Sequence, residues 1–128
     1  MARIKVLLVD DEREFVAALA RRLRKRNLDI EIAADGEQAL WQVQEHFPDV
    51  VVVDLNMPGI EATELVRRIK AVHPRVHVVV LTGEPWGDKV KDVLRVGAAG
   101  YLEKPLDINK LMEIIHRVEL ADRVPCPE

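Results

Sequence analysis

Four consecutive valines, Val50 to Val53, constrain the fold of this chain more than any other feature of its sequence. They are β-branched and carry no polar alternation, so both faces of a strand built from them have to be covered. That is the mark of a central strand in a parallel sheet, packed by helices on each side.

The rest of the chain supplies such a sheet. Strand patterns rich in apolar residues fall at Lys5–Val9, Asp29–Ala33 and Val76–Leu81, with a shorter one at Gly100–Leu102. Helical spacing alternates with them. Phe15, Ala18, Leu19 and Leu23 share one face, then Leu40, Val43 and Phe47, then Leu65, Ile69 and Val72. Val90, Val93, Leu94 and Gly97 form a fourth set, and Leu111, Ile114, Ile115 and Val118 a fifth. Asp35 and Asp107 read as N-caps, and Pro48 and Pro74 as stop signals behind the second and third helices. The order is (βα)5. Right-handed crossovers turn that order into a parallel sheet with helices on both faces. One domain is expected over residues 1–121. Residues 122–128 read as a tail or the start of a linker.

Composition narrows the class of molecule. With 128 residues, 48% hydrophobic and 32% charged, the chain is long enough to bury roughly two-thirds of its unfolded surface. A net charge of −3 argues against direct nucleic-acid binding. Cys126 is the single cysteine. No disulfide framework is expected, and a reducing, cytoplasmic setting fits best. The apolar run Val6–Val9 is too short for a signal segment, and no stretch approaches the ~20 apolar residues of a membrane span.

The polar residues at the strand ends point to chemistry. Asp10 and Asp11 follow the first strand, Asp54 the third, Thr82 the fourth and Lys104 the fifth. In open α/β sheets the ligand site lies at this edge, where strand order reverses. Were the order 2-1-3-4-5, the reversal would fall between the first and third strands, and Asp10, Asp11 and Asp54 would then converge in one crevice. Clustered carboxylates either shift their pKa values or bind a cation. An all-oxygen set with no nearby His or Cys suits a hard cation such as Mg2+ together with a phosphate. Thr82 offers a hydroxyl, Lys104 a point charge, and an aspartate a nucleophile. Taken singly, each is an ordinary loop acid, helix cap or surface lysine. Their joint placement at four strand ends is harder to obtain by accident.

The segments "LLVDDE", "VVVDLNMPGIEATEL", "VVVLTG" and "GAAGYLEKPLDINKL" resemble the receiver domain of two-component response regulators, over Ile4 to about Leu120. The resemblance implies the flavodoxin-like (βα)5 three-layer sandwich with a five-stranded sheet ordered 2-1-3-4-5. It implies that Asp54 accepts a phosphoryl group from a sensor histidine kinase, a phosphotransfer protein or a small acyl phosphate. Asp10, Asp11, Asp54 and the main-chain carbonyl of Asn56 would hold Mg2+. Thr82 and Lys104 would hold the phosphoryl oxygens. Tyr101 would couple to Thr82 as a rotamer switch, and the fourth helix, fifth strand and fifth helix would form the output face. A chain of this kind catalyses only its own phosphorylation and dephosphorylation. It acts on a downstream effector or fused output domain, with room for a phosphorylation-dependent dimer. The same resemblance gives a positive φ at Gly59 and a cis peptide at Lys104-Pro105. Asn56 and Glu84 resemble residues of the chemotaxis receiver and imply fast loss of phosphate.

Other readings compete less well. A flavin or nucleotide carrier would want a Gly/Ser/Thr-rich loop where "DDERE" stands. An aspartate-nucleophile phosphatase would want an acid at Asn56. A phosphorylation-independent interaction module would not need the full polar set. Glu12 and Glu14 read as ordinary helix-start acids. Trp41 reads as a packing residue, and Trp86 either as packing on the fourth helix or as a partner anchor. The basic run Arg21 to Arg26 reads as a solvated helix end or as part of a kinase-docking surface. His46, His73, His77 and His116 lack metal-ligand spacing.

Overall fold

The computed structural model describes residues 3–83 and 87–123. Strands and helices alternate as β1 (Lys5–Val9), α1 (Arg13–Arg24), β2 (Asp29–Ala33), α2 (Gly36–His46) and β3 (Val50–Asp54). They continue as α3 (Ala62–Val72), β4 (His77–Thr82), α4 (Asp88–Arg95), β5 (Gly100–Glu103) and α5 (Ile108–Arg123). All five strands are parallel, in the order β2-β1-β3-β4-β5. This is the flavodoxin-like three-layer arrangement expected from the sequence. Trp86, Glu84 and Cys126 lie outside the described residues.

The valine run sits at the centre of the sheet, and every residue of β3 is buried. Its alternation serves two cores. Val51 and Val53 pack toward α2, α3 and α4, with Ala39, Val43, Leu65, Ile69, Val90 and Val93. Val50 and Val52 pack toward α1 and α5, with Leu19, Leu23, Leu111 and Ile115. Fully burying one such valine contributes about 1.5–3 kcal/mol, which is why the run tolerates no polar residue on either face.

Local signals set the helix ends. The Asp35 side chain accepts the Gln38 N–H at 2.9 Å, and the Gln38 side chain in turn accepts the Ala34 N–H at 2.9 Å. This reciprocal pair fixes the start of α2. Asp107 plays the same part for α5, accepting the Asn109 N–H at 2.9 Å. Gly97, at φ 120°, closes the end of α4 in a conformation that favours glycine.

Three apolar residues depart from the sequence reading. Phe47 does not continue the buried face of α2. It ends the helix in the left-handed region at φ 45° and is 56% exposed. Trp41 is not a packing residue, being 57% exposed. It lies two positions, about 200° of helix rotation, from both Ala39 and Val43, and so faces away from the core. Val72, the last residue of α3, is also exposed. Three strand ends shift by one residue as well: Asp54, Thr82 and Glu103 are the final residues of β3, β4 and β5 rather than the residues after them, and β4 begins at His77 rather than Val76.

Candidate functional site

Strand register brings the carboxylates together. Val9 lies opposite Val53, so Asp10 and Asp54, one residue further on, leave neighbouring strands side by side. Both are buried. Each is oriented by a main-chain donor two residues ahead. Asp10 Oδ1 accepts the Glu12 N–H at 2.9 Å, and Asp54 Oδ1 accepts the Asn56 N–H at 3.2 Å. These short loops leave both Oδ2 atoms directed into the crevice.

Lys104 fills the space between them. Its Nζ lies 3.5 Å from Asp54 Oδ2, 3.7 Å from Asp10 Oδ2 and 3.4 Å from Glu12 Oε1. The ammonium also sits 5.1 Å from the centre of the Phe15 ring on α1. The main chain of Lys104 is anchored as well, its N–H donating to the Thr82 carbonyl at 2.7 Å. The Lys104-Pro105 peptide is cis and Gly59 has φ 95°, both as expected.

The charges are unevenly balanced. Burial, opposed by the Glu12 N–H and reinforced by the negative charge of Asp54, pushes the Asp10 carboxyl above the ordinary carboxylate value. Burial also works against the Lys104 ammonium. The negative charges of Asp54, Asp10 and Glu12 outweigh it and hold the Lys104 pKa above its ordinary value. Among the described residues Asp10 Oδ2 is the one buried side-chain polar atom without a hydrogen-bond partner. At 3.7 Å, Lys104 is too far to supply one. An unsatisfied, desolvated carboxylate oxygen beside two further acids is a site short of positive charge.

The acids close enough to share a cation are Asp10, Glu12 and Asp54, with an oxygen of each within 4.8 Å of the others. Hard, all-oxygen donors of this kind fit Mg2+. Glu12 is the residue that sequence reasoning missed. It is the N-cap of α1 but makes no capping bond with its side chain. Its longer side chain instead reaches Lys104. Asp11 stands apart from this group. It is exposed on the loop, where consecutive side chains diverge as the chain leaves β1.

Thr82 and Tyr101 occupy the other side of the sheet. Thr82 is buried at the end of β4. Tyr101 is paired in register with Val80 and packs on the core beneath α2, α3 and α4. Strand alternation puts Thr82 on the same face as Val80, two residues along from the position beside Tyr101.

Known proteins share this architecture. The sequence model of the family described as "Response regulator receiver domain" matches residues 6–116. The chain is 36% identical over 115 residues to the transcriptional regulatory protein PrrA of Mycobacterium tuberculosis, covering 90% of this chain and 48% of that protein. It is 33% identical over 116 residues to the transcriptional regulatory protein DegU of Brevibacillus brevis, covering 88% of this chain and 49% of that protein. The chain thus spans about half the length of these curated relatives. Among solved structures, chemotaxis protein CheY4 of Vibrio cholerae superposes with a TM-score of 0.85 at 32% identity, covering 91% of this chain and 99% of that one.

Proposed function

The chain belongs to the response regulator receiver domain family of two-component signalling, and we propose that Asp54 is its phospho-acceptor. The donor would be the phosphohistidine of a sensor histidine kinase or phosphotransfer protein, or a small acyl phosphate. The observation that carries this reading is the convergence of Asp10, Glu12 and Asp54 on the Lys104 ammonium at distances of 3.4–3.7 Å.

The chemistry is in-line displacement. Asp54 keeps Oδ1 on the Asn56 N–H, which leaves Oδ2 as the attacking oxygen. A bond forms from Oδ2 to phosphorus while the bond to the donor's leaving group breaks, and the electron pair departs with that group. Lys104 exchanges part of its pairing with Asp54 for a phosphoryl oxygen, and Thr82 donates its hydroxyl to another. Asp10, Glu12 and Asp54, with the Asn56 carbonyl as a further oxygen donor, would hold Mg2+, and Asp11 would join them by turning in from its exposed position on the loop; the ion when bound supplies neutralising charge to the phosphoryl oxygens.

The product adds about −1.5 to −2 charge units if it resembles other phosphorylated side chains. That charge draws Thr82 toward the site and opens space for Tyr101, which repacks the face formed by α4, β5 and α5. The relatives carry the name of transcriptional regulatory proteins, which supports an output through a downstream effector or fused output domain. The chain acts in the cytoplasm as a switch, with no turnover beyond its own phosphorylation and dephosphorylation.

Incubation with acetyl phosphate and Mg2+ tests this by intact mass. Wild type gains one phosphate, and neither Asp54→Ala nor metal-free wild type does. A wild type left unmodified by acyl phosphates and by phosphorylated histidine kinases would instead be a phosphorylation-independent interaction module.

A further inference from the structure

Helix α2 and its C-cap carry two exposed aromatic residues that phosphoryl transfer does not use. Trp41 and Phe47 are both more than half exposed. Trp41 meets the His46 ring edge-on at 5.9 Å between centroids, and Phe47 meets His73 at 5.2 Å. Phe47 keeps a left-handed backbone at φ 45°. A bulky side chain seldom adopts that conformation, and glycine would hold it without strain. Between α2 and edge strand β2 lies a pocket of about 210 Å3 whose polar lining is Lys5, Asp29, Glu31, Gln42, Glu45 and His46. His46 Nδ1 lies 2.6 Å from Glu31 Oε2 and 2.8 Å from Gln42 Oε1. Asp29 and Glu45 have no ion-pair partner among the described residues.

The complementary charge is on the same chain. Arg21, Arg22, Lys25 and Arg26 are exposed at the end of α1. Arg24, also exposed, lies along edge strand β2 and donates to the Ile30 carbonyl at 3.0 Å, covering part of its free edge. The basic run leads directly into Asp29, so the cationic patch and the acidic pocket adjoin across the start of one edge strand. Two adjoining, oppositely charged patches satisfy the requirement of a two-fold association. An axis beside β2 sets each basic run against the other copy's pocket, and the contact occurs twice and closes.

We infer that edge strand β2 and the adjoining side of α2 near Trp41 dock a second copy of this chain, with Arg21, Arg22, Lys25 and Arg26 of each copy seated against the Glu31–Glu45 pocket of the other. Trp41, in ring contact with the pocket residue His46, adds apolar contact beside the pocket, and the charges set the register. The association is independent of Asp54 and belongs to the unphosphorylated chain.

Sedimentation equilibrium of the unmodified chain, at low and high salt, reads this out. Self-association at low salt should weaken roughly tenfold or more at high salt, as screened charge pairs do. Glu45→Arg and Trp41→Ala should each weaken it by about tenfold. Both side chains are exposed, and unchanged thermal melting checks that the variants fold. Mixing Glu45→Arg with the double variant Arg21→Glu, Lys25→Glu should produce a heterodimer that neither forms alone. A strict monomer at low salt overturns the inference, as does a dimer unmoved by Glu45→Arg and Trp41→Ala. A monomer in which hexa-arginine shifts the NMR signals of Glu31 and Glu45 also overturns it, giving the face to a basic partner protein.

Discussion

Asp10 and Asp54 use their carboxylates in the same way. In each, Oδ1 accepts the N–H two residues ahead, and Oδ2 faces Lys104 Nζ from within 3.7 Å. Both arise at the ends of adjacent strands with matched register. The likeness is therefore a consequence of sheet geometry. Two desolvated acids are held side by side with one lysine to offset them, and this sets how the site responds to charge, metal and phosphate.

Asp10→Asn should stabilise the fold in chelator. The Asp10 carboxyl titrates above its ordinary value of 3.8, because burial and the nearby Asp54 charge disfavour its ionised form. The folded state then binds more protons than the unfolded state, so this group's contribution falls as pH rises from 3.8 through the folded value. Asparagine keeps the acceptor for the Glu12 N–H and removes the charge. The expected gain near neutral pH is on the order of 1 kcal/mol, roughly 3–5 °C in Tm. Urea midpoints measured against pH should show that gain shrinking toward acid. A neutral-pH loss of stability would count against the electrostatic picture of the crevice.

Lys104→Met should have the opposite sign. It leaves three acids facing one another with no cation, and the ammonium is only partly shielded from water. The expected loss is about 1–2 kcal/mol in chelator, largely recovered on adding Mg2+. Phosphorylation by acetyl phosphate should slow by roughly 100-fold, the cost of removing one charge-stabilising donor. Equal destabilisation with and without Mg2+ would show that the lysine serves packing alone.

Glu12→Gln separates a ligand from a bystander. If Glu12 helps hold the cation, Mg2+ affinity measured by fluorescence or calorimetry should drop by about tenfold with little change in Tm. An unchanged affinity would return Glu12 to the role of a simple helix-start acid.

The phosphorylated chain should lose its phosphate within seconds to minutes at room temperature, given Asn56 beside the acceptor. Decay of the labelled protein after removal of donor measures this directly. A half-life of hours would contradict it.

The sheet, and the meeting of Asp10, Asp54 and Lys104, were legible because they follow from strand pattern. Val50–Val53 demanded two covered faces, and Asp10, Asp54 and Lys104 stand at strand ends that the sheet order brings together, whereas Thr82, also at a strand end, lies on the other face of the sheet. What was not legible depends on side-chain reach and helix angle. Glu12 enters the crevice because its side chain is long enough to bridge to Lys104 from the cap of α1, whereas the nearer Asp11 diverges. Trp41 reads as core by size but points outward by helix rotation. Phe47 falls at the position where α2 turns left-handed ahead of Pro48, so a residue in apparent helical step leaves the helix altogether.

The most direct test of the central claim is chemical mapping of the phosphorylated residue. Treat the chain with acetyl phosphate and Mg2+, reduce the acyl phosphate with borohydride, and sequence the peptides by mass spectrometry. Reduction of an aspartyl phosphate yields homoserine. Wild type should carry homoserine at position 54 and nowhere else, and omission of Mg2+ should abolish it. Homoserine at Asp10 or Asp11, or phosphate that persists in Asp54→Ala, would contradict the assignment of Asp54 as acceptor.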